Sequence, residues 1–143
     1  MTPPSSRMLL LCLLVGQSAC TGLIAGPESQ SVTAVPASRD SAYARARRGL
    51  TGESFTMDVV DSAGGRLTAT RWPLASGKLG SSQACHVSVA FQINGDAAQS
   101  EVSATTRWIA PGDMQDKAPT VCEQERNDVL SRLAQTLAPP PTP

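Results

Sequence analysis

Residues 85–94 constrain the chain most. Cys85, Val87, Val89, Phe91 and Ile93 alternate with His86, Ser88, Ala90, Gln92 and Asn94. A period of two is the pattern of a strand with one face buried. Asn94-Gly95 follows, a dipeptide suited to tight hairpins. The strand must therefore turn back on itself. Residues 101–109, with Val102, Thr105, Thr106 and Ile109, form the returning strand. A hairpin with one apolar face needs a second layer to cover that face.

The flanking segments supply that layer and extend the sheet. In residues 54–61, Phe55, Met57 and Val59 alternate with Thr56 and Asp58. Residues 61–65 hold Gly64-Gly65 and read as a turn. Residues 66–72 are a second strand, ended by Pro73, and residues 74–84 are small, polar and loop-like. Residues 41–48 predict a helix capped by Asp40 or Ser41 and stopped by Gly49 or Gly52. Its Tyr43, Ala46 and Leu50 share one face. Residues 110–119 read as a polar loop. Thr120 then stands three residues before Glu123, a capping box. Cys122, Val129, Leu130, Leu133 and Leu137 form the apolar stripe of a final helix, with Glu125, Asp128 and Gln135 opposite. The expected fold is an α+β two-layer sandwich in the order α-β-β-β-β-α. Its four-stranded antiparallel meander carries both helices on one face.

The N-terminus reads differently. Arg7 precedes residues 8–16, MLLLCLLVG, which are unbroken by charge. That run is far below the roughly 20 residues of a membrane span and fits a signal-peptide core. Ser18-Ala19-Cys20 resembles the lipobox of bacterial lipoproteins, in which the peptide is cut before a cysteine that carries lipid. Gln17 stands where that pattern usually has an aliphatic residue. The alternative is ordinary cleavage between Ala19 and Ala25, releasing a soluble exported protein. Thr21, not Asp, follows Cys20, and by the resemblance this implies an outer-membrane anchor facing the periplasm. The organisation expected is a signal peptide over 1–19, a lipidated Cys20 with a flexible tether over 20–39, a single domain over 40–138, and a Pro-rich tail over 139–143.

Of four cysteines, Cys12 leaves with the signal and Cys20 takes the lipid. Cys85 and Cys122 remain as an even pair in an oxidising compartment, which predicts a disulfide. The alternative is two reduced core thiols. Twelve basic residues balance twelve acidic ones. Nucleic-acid binding needs a dense basic footprint, so no nucleic-acid partner is expected. The aromatics are two Trp, one Tyr and two Phe, too few for a base-stacking or sugar-binding platform.

One stretch carries a wider resemblance. A helix from Tyr43 leads to Asp58-Val-Val-Asp61, then Gly65, then Leu67-Thr-Ala69-Thr-Arg71, ending at Trp72. It is similar to the repeated domain of the C-subunit lipoprotein of the outer-membrane β-barrel assembly machine. That resemblance implies a scaffold or accessory role and carries no catalytic residue across.

The residues themselves offer little chemistry. His86 is the one histidine. Cys85, His86 and Cys122 could be imagined as zinc ligands, but residues 85 and 86 point to opposite faces of a strand. A solvent-facing His86 is expected. Asp58/Asp61 and Asp113/Asp116 lack the ligand density of a calcium loop. No G-x-S-x-G, Walker or Rossmann pattern occurs. The expectation is no catalytic residue, no metal and no cofactor. One echo stands out: Thr70-Arg71-Trp72-Pro73 and Thr106-Arg107-Trp108 each end a strand. Arg71, Trp72, Arg107 and Trp108 could form a partner-binding patch. Alternatively, both tryptophans plug one end of the core and each arginine covers a ring. The functional expectation is a non-enzymatic envelope lipoprotein that is anchored through Cys20 and binds an envelope protein. The alternative is an exported binding or inhibitor module acting on a hydrolase or small ligand, with loop 73–84 as its contact.

Overall fold

The computed structural model describes residues 22–72 and 85–141. The signal segment 1–19, Cys20 and the loop 73–84 lie outside the described residues. The described chain runs β1 (Leu23–Ala25), β2 (Ser29–Val35), α1 (Arg39–Gly52), β3 (Thr56–Asp61), β4 (Arg66–Arg71), β5 (His86–Gly95), β6 (Ser100–Pro111), a 3-10 turn (Gly112–Met114) and α2 (Ala118–Leu137). Every strand pairing is antiparallel. The sheet order is β1-β6-β5-β4-β3, with β2 also beside β6.

The α+β class and antiparallel sheet match the expectation, but the four-stranded count does not. The segment 20–39, expected to be a flexible tether, holds β1 and β2. These two lie end to end along β6, β1 opposite residues 109–111 and β2 opposite residues 100–106. The chain steps between them at Gly26-Pro27. The Gly26 N–H donates to the Trp108 carbonyl at 3.0 Å. A Cβ at Gly26 would run into the Trp108 indole, so glycine is required where the backbone passes this ring.

Alternation sorts the strands into two faces. Leu67 and Ala69 of β4, Val87, Val89, Phe91 and Ile93 of β5, and Val102 and Ala104 of β6 turn inward. Ala42, Tyr43, Ala46 and Leu50 of α1 and Val129, Leu133 and Leu137 of α2 join them in one core. A second, smaller cluster holds Cys85, Trp108, Ala110, Ala118 and Cys122. Cys85 and Cys122 are bonded, with Cα atoms 5.6 Å apart, joining the start of β5 to the first turns of α2. Closing a loop of 37 residues removes unfolded-state entropy equivalent to about 4 kcal/mol.

The helix ends differ from the expectation in instructive ways. Ser38, not Asp40 or Ser41, caps α1, its Oγ accepting from the Ser41 N–H at 3.2 Å. Gly49 does not stop the helix but lies buried within it. Leu133 and Thr136 of α2 come within 3.1 and 3.2 Å of where its Cβ would be. The missing side chain lets the two helices approach. No side-chain capping box forms on α2, which begins at Ala118 without a cap hydrogen bond. Glu123 is used elsewhere, accepting from Trp108 Nε1 at 3.0 Å and from Arg126.

Candidate functional site

Register decides where the arginines and tryptophans go. Arg71 pairs opposite Val87, and Val87 opposite Trp108, so Arg71 and Trp108 share the inner face. Ser88 pairs opposite Arg107, which places Arg107 on the outer face. Trp72, just past the end of β4, stacks on outward His86 with ring centroids 4.2 Å apart. The proposed four-residue patch therefore splits, half on each side of the sheet. Adjacent residues of a strand cannot share a face.

The inner half is structural. Arg71 is only 2% exposed. One guanidinium nitrogen lies 2.9 Å from Glu125 Oε1 and the other 3.7 Å from Glu53 Oε2. Glu125 Oε2 also accepts from the Cys85 N–H at 3.2 Å. Arg71 further lies over the Phe55 ring at 5.5 Å. Glu125 was expected on the solvent side of α2, yet it stands three residues from Cys122 and four from Val129, on the buried stripe. Arg126 is buried too, donating to the Pro27 carbonyl at 3.2 Å and pairing with Glu123. These ions tie α2 to β4, to the start of β5 and to the β1–β2 step. Trp108, 3% exposed, fills the end of the core as one of the two tryptophans expected there. Trp72 does not, being 67% exposed.

The outer half forms a different surface. Thr68, Thr70, Ser88, Ala90 and Thr105 floor a shallow groove of about 260 Å³, flanked by Asp58, Glu28 and Arg107. Short side chains leave this face low. Asp58 sits at a register shift between Met57 and Val59 and accepts from Thr70 Oγ1 at 2.7 Å. Arg107 pairs with Glu28 at 3.3 Å, both well exposed. His86 turns outward as expected but is half-buried rather than solvated. Its Nε2 is enclosed without a hydrogen-bond partner. Burial pushes its pKa below the ordinary 6.5, while the Asp58 carboxylate pulls the other way. The ring is therefore neutral at neutral pH.

The remaining acidic candidates serve local structure. Asp61 serves its own turn, accepting from the Gly64 N–H at 2.8 Å and pairing with Arg66 at 3.3 Å. The Gly64 hydrogen bond first, and the arginines second, hold its pKa below the usual carboxylate value. Asp113 lies in the 3-10 turn before α2, away from the groove lining. Among the described residues no three His, Cys, Asp or Glu side chains group as a metal site. No described helix is long and apolar enough to cross a membrane. Between β2, the sheet and α2 lies a cavity of about 20 Å³, lined by Ser31, Thr33, Phe91, Leu130 and Leu133 among others. Its size suits roughly one water molecule.

No family model and no curated protein matches the chain. Solved structures do match in shape. The di-domain ARO/CYC BexL from the BE-7585A biosynthetic pathway is similar with a TM-score of 0.56 at 12% identity, over 78% of this chain and 45% of that one. The chain thus spans less than half of that protein's length. Ara h 8.0201 aligns with a TM-score of 0.45 at 11% identity, over 77% of this chain and 99% of that one. A DUF4468 family protein from Bacteroides ovatus aligns with a TM-score of 0.42 at 14% identity, over 81% and 88%. At such identity the likeness to BexL shows a similar fold over the aligned part and nothing about activity.

Proposed function

We propose that this chain is an exported, non-enzymatic binding module, held at the outer membrane by lipid on Cys20, that engages an envelope protein with the outer face of its sheet. The observation that carries the reading is Trp72. It is a large aromatic, 67% exposed and stacked on His86, on the same outer face as the groove floored by serine, threonine and alanine. Tryptophan is among the side chains on which binding energy concentrates at interfaces. Arg107 and the carboxylates of Asp58 and Glu28 supply a polar rim. Among the described residues, the cavity between β2, the sheet and α2 is about 20 Å³, too small for an organic ligand, which directs attention to the surface. The bonded Cys85–Cys122 pair accords with an oxidising compartment.

Two experiments test the proposal. Metabolic labelling with a fatty-acid analogue should mark the wild type and not Cys20→Ala; label that persists in the variant removes the anchor. A photo-reactive residue at Thr105 should capture one envelope protein in cells, and Trp72→Ala should reduce that adduct at least tenfold. Equal capture from Gln135, exposed on α2, would remove the outer face from consideration. A second reading rests on the groove itself. Its hydroxyl and carboxylate lining suits a small polar ligand, and in that case Thr105 yields no protein adduct.

A further inference from the structure

The sheet ends in two edges, and they are built differently. β3 is six residues long, has a register shift, and carries Asp58 and Asp61. Bulges and charges are the devices that keep an edge strand from pairing with another chain. β2 has neither. Its seven residues, SQSVTAV, contain no charge and no proline. They pair with β6 in unbroken register. Among the described residues nothing pairs with its other side. Val32, at its centre, is 65% exposed.

Residues 127–137 of α2, the stretch beside this edge, carry no charge on the side that faces it; Glu123 and Arg126 one turn earlier pair with each other. Leu130 and Ala134 line the small cavity with Ser31 and Thr33, which identifies the side of α2 that faces β2. Helical spacing adds Asn127, Ser131 and Ala138 to that side. The charged Arg132 turns away, pairing with Glu53 at the end of α1.

We propose that β2 pairs antiparallel with β2 of a second copy across a two-fold axis at Val32, joining two sheets into one. A two-fold interface sets each surface against itself, so charge on the strand would meet like charge. This strand has none to repel. With Val32 opposite Val32, Ser31 faces Thr33, Gln30 faces Ala34 and Ser29 faces Val35. The two α2 seams are brought toward each other beneath the joined strands. One strand pair and a narrow helical seam make a small interface, so the association is reversible, with a dissociation constant on the order of micromolar. The proposal does not depend on the lipid anchor or on the outer-face partner.

The test is sedimentation and cross-linking of the full chain in detergent. Wild type should sediment as a concentration-dependent dimer. Val32→Cys should give a covalent dimer on mild oxidation, at least tenfold faster than Val59→Cys on the β3 edge. Both variants retain the same native cysteines, so these cancel. Val32→Lys should weaken association at least tenfold with an unchanged melting curve, because the position is exposed. A wild type that stays monomeric up to about 100 μM, well above the expected range for so small an interface, overturns the proposal. So does equal cross-linking from Val32→Cys and Val59→Cys, or in-cell cross-linking of Val32→Cys to a different protein only. Should Val32→Lys fail to fold, the sedimentation and cysteine results decide.

Discussion

Arg71-Trp72 and Arg107-Trp108 are the same dipeptide in the C-terminal halves of β4 and β6, Trp72 just past the end of β4, and the sheet turns them opposite ways. In the first pair the arginine is buried in an ion network and the tryptophan is in solvent. In the second the tryptophan fills the core and the arginine is in solvent. Identity of sequence here gives opposite physical roles. One residue of strand phase decides which side chain stabilises the fold and which remains for recognition.

This contrast can be tested directly. Arg71→Ala removes the guanidinium that faces the buried Glu125 carboxylate, and should cost about 3–5 kcal/mol in chemical denaturation. Arg71→Met/Glu125→Gln, which removes both charges and keeps an acceptor for the Cys85 N–H, should recover part of that loss. Trp108→Ala empties the end of the core and leaves Glu123 without its indole donor. It should cost a similar or slightly smaller amount, about 3–4 kcal/mol. Arg107→Ala breaks only an exposed pair and should cost under about 1 kcal/mol. An Arg107 effect as large as that of Arg71 would break the comparison.

Trp72→Ala should change stability by no more than about 0.5 kcal/mol. Its signature should instead be at His86. Removing the indole hydrates the imidazole, so an NMR titration should show its pKa rising toward 6.5. The sign for the wild type follows from the same burial. The folded-state pKa lies below the unfolded value, so the native state binds this proton less readily. The contribution is complete above about pH 6.5 and declines as pH falls below it. Stability that is flat from pH 7 to 5 in the wild type, or a His86 pKa unmoved in Trp72→Ala, would show that the indole does not shield the ring.

Much of this arrangement was legible in the sequence. The alternation of residues 85–94 identified the inward face of β5, and Cys85 and Cys122 identified the disulfide. The phase of Leu67, Ala69 and Arg71 already placed Arg71 with the apolar residues of its strand, as that of Val102, Ala104 and Thr106 did for Trp108. A single patch of all four residues is incompatible with that phase. Glu125 was similarly readable from its spacing to Cys122 and Val129. Its charge argued for solvent, and only the facing Arg71 reverses that expectation. β2 was harder to see. An edge strand has one neighbour and little to bury, so small polar residues suffice, and only Val35 is buried. Such a segment has the composition of a linker. The Thr120–Glu123 spacing suggested a cap, but Trp108 and Arg126 take the Glu123 carboxylate.

The early start of β1 has a consequence for how far the molecule can search. Leu23 opens that strand, three positions after Cys20, and three residues extend at most about 11 Å. With lipid on Cys20, the domain is therefore moored rather than leashed. Under the proposed anchor it would rest against the headgroup layer with little freedom to sweep the space above. Encounters would then occur mainly by lateral diffusion in the plane of the bilayer, and any larger assembly would have to bring its contact surface down to the lipid.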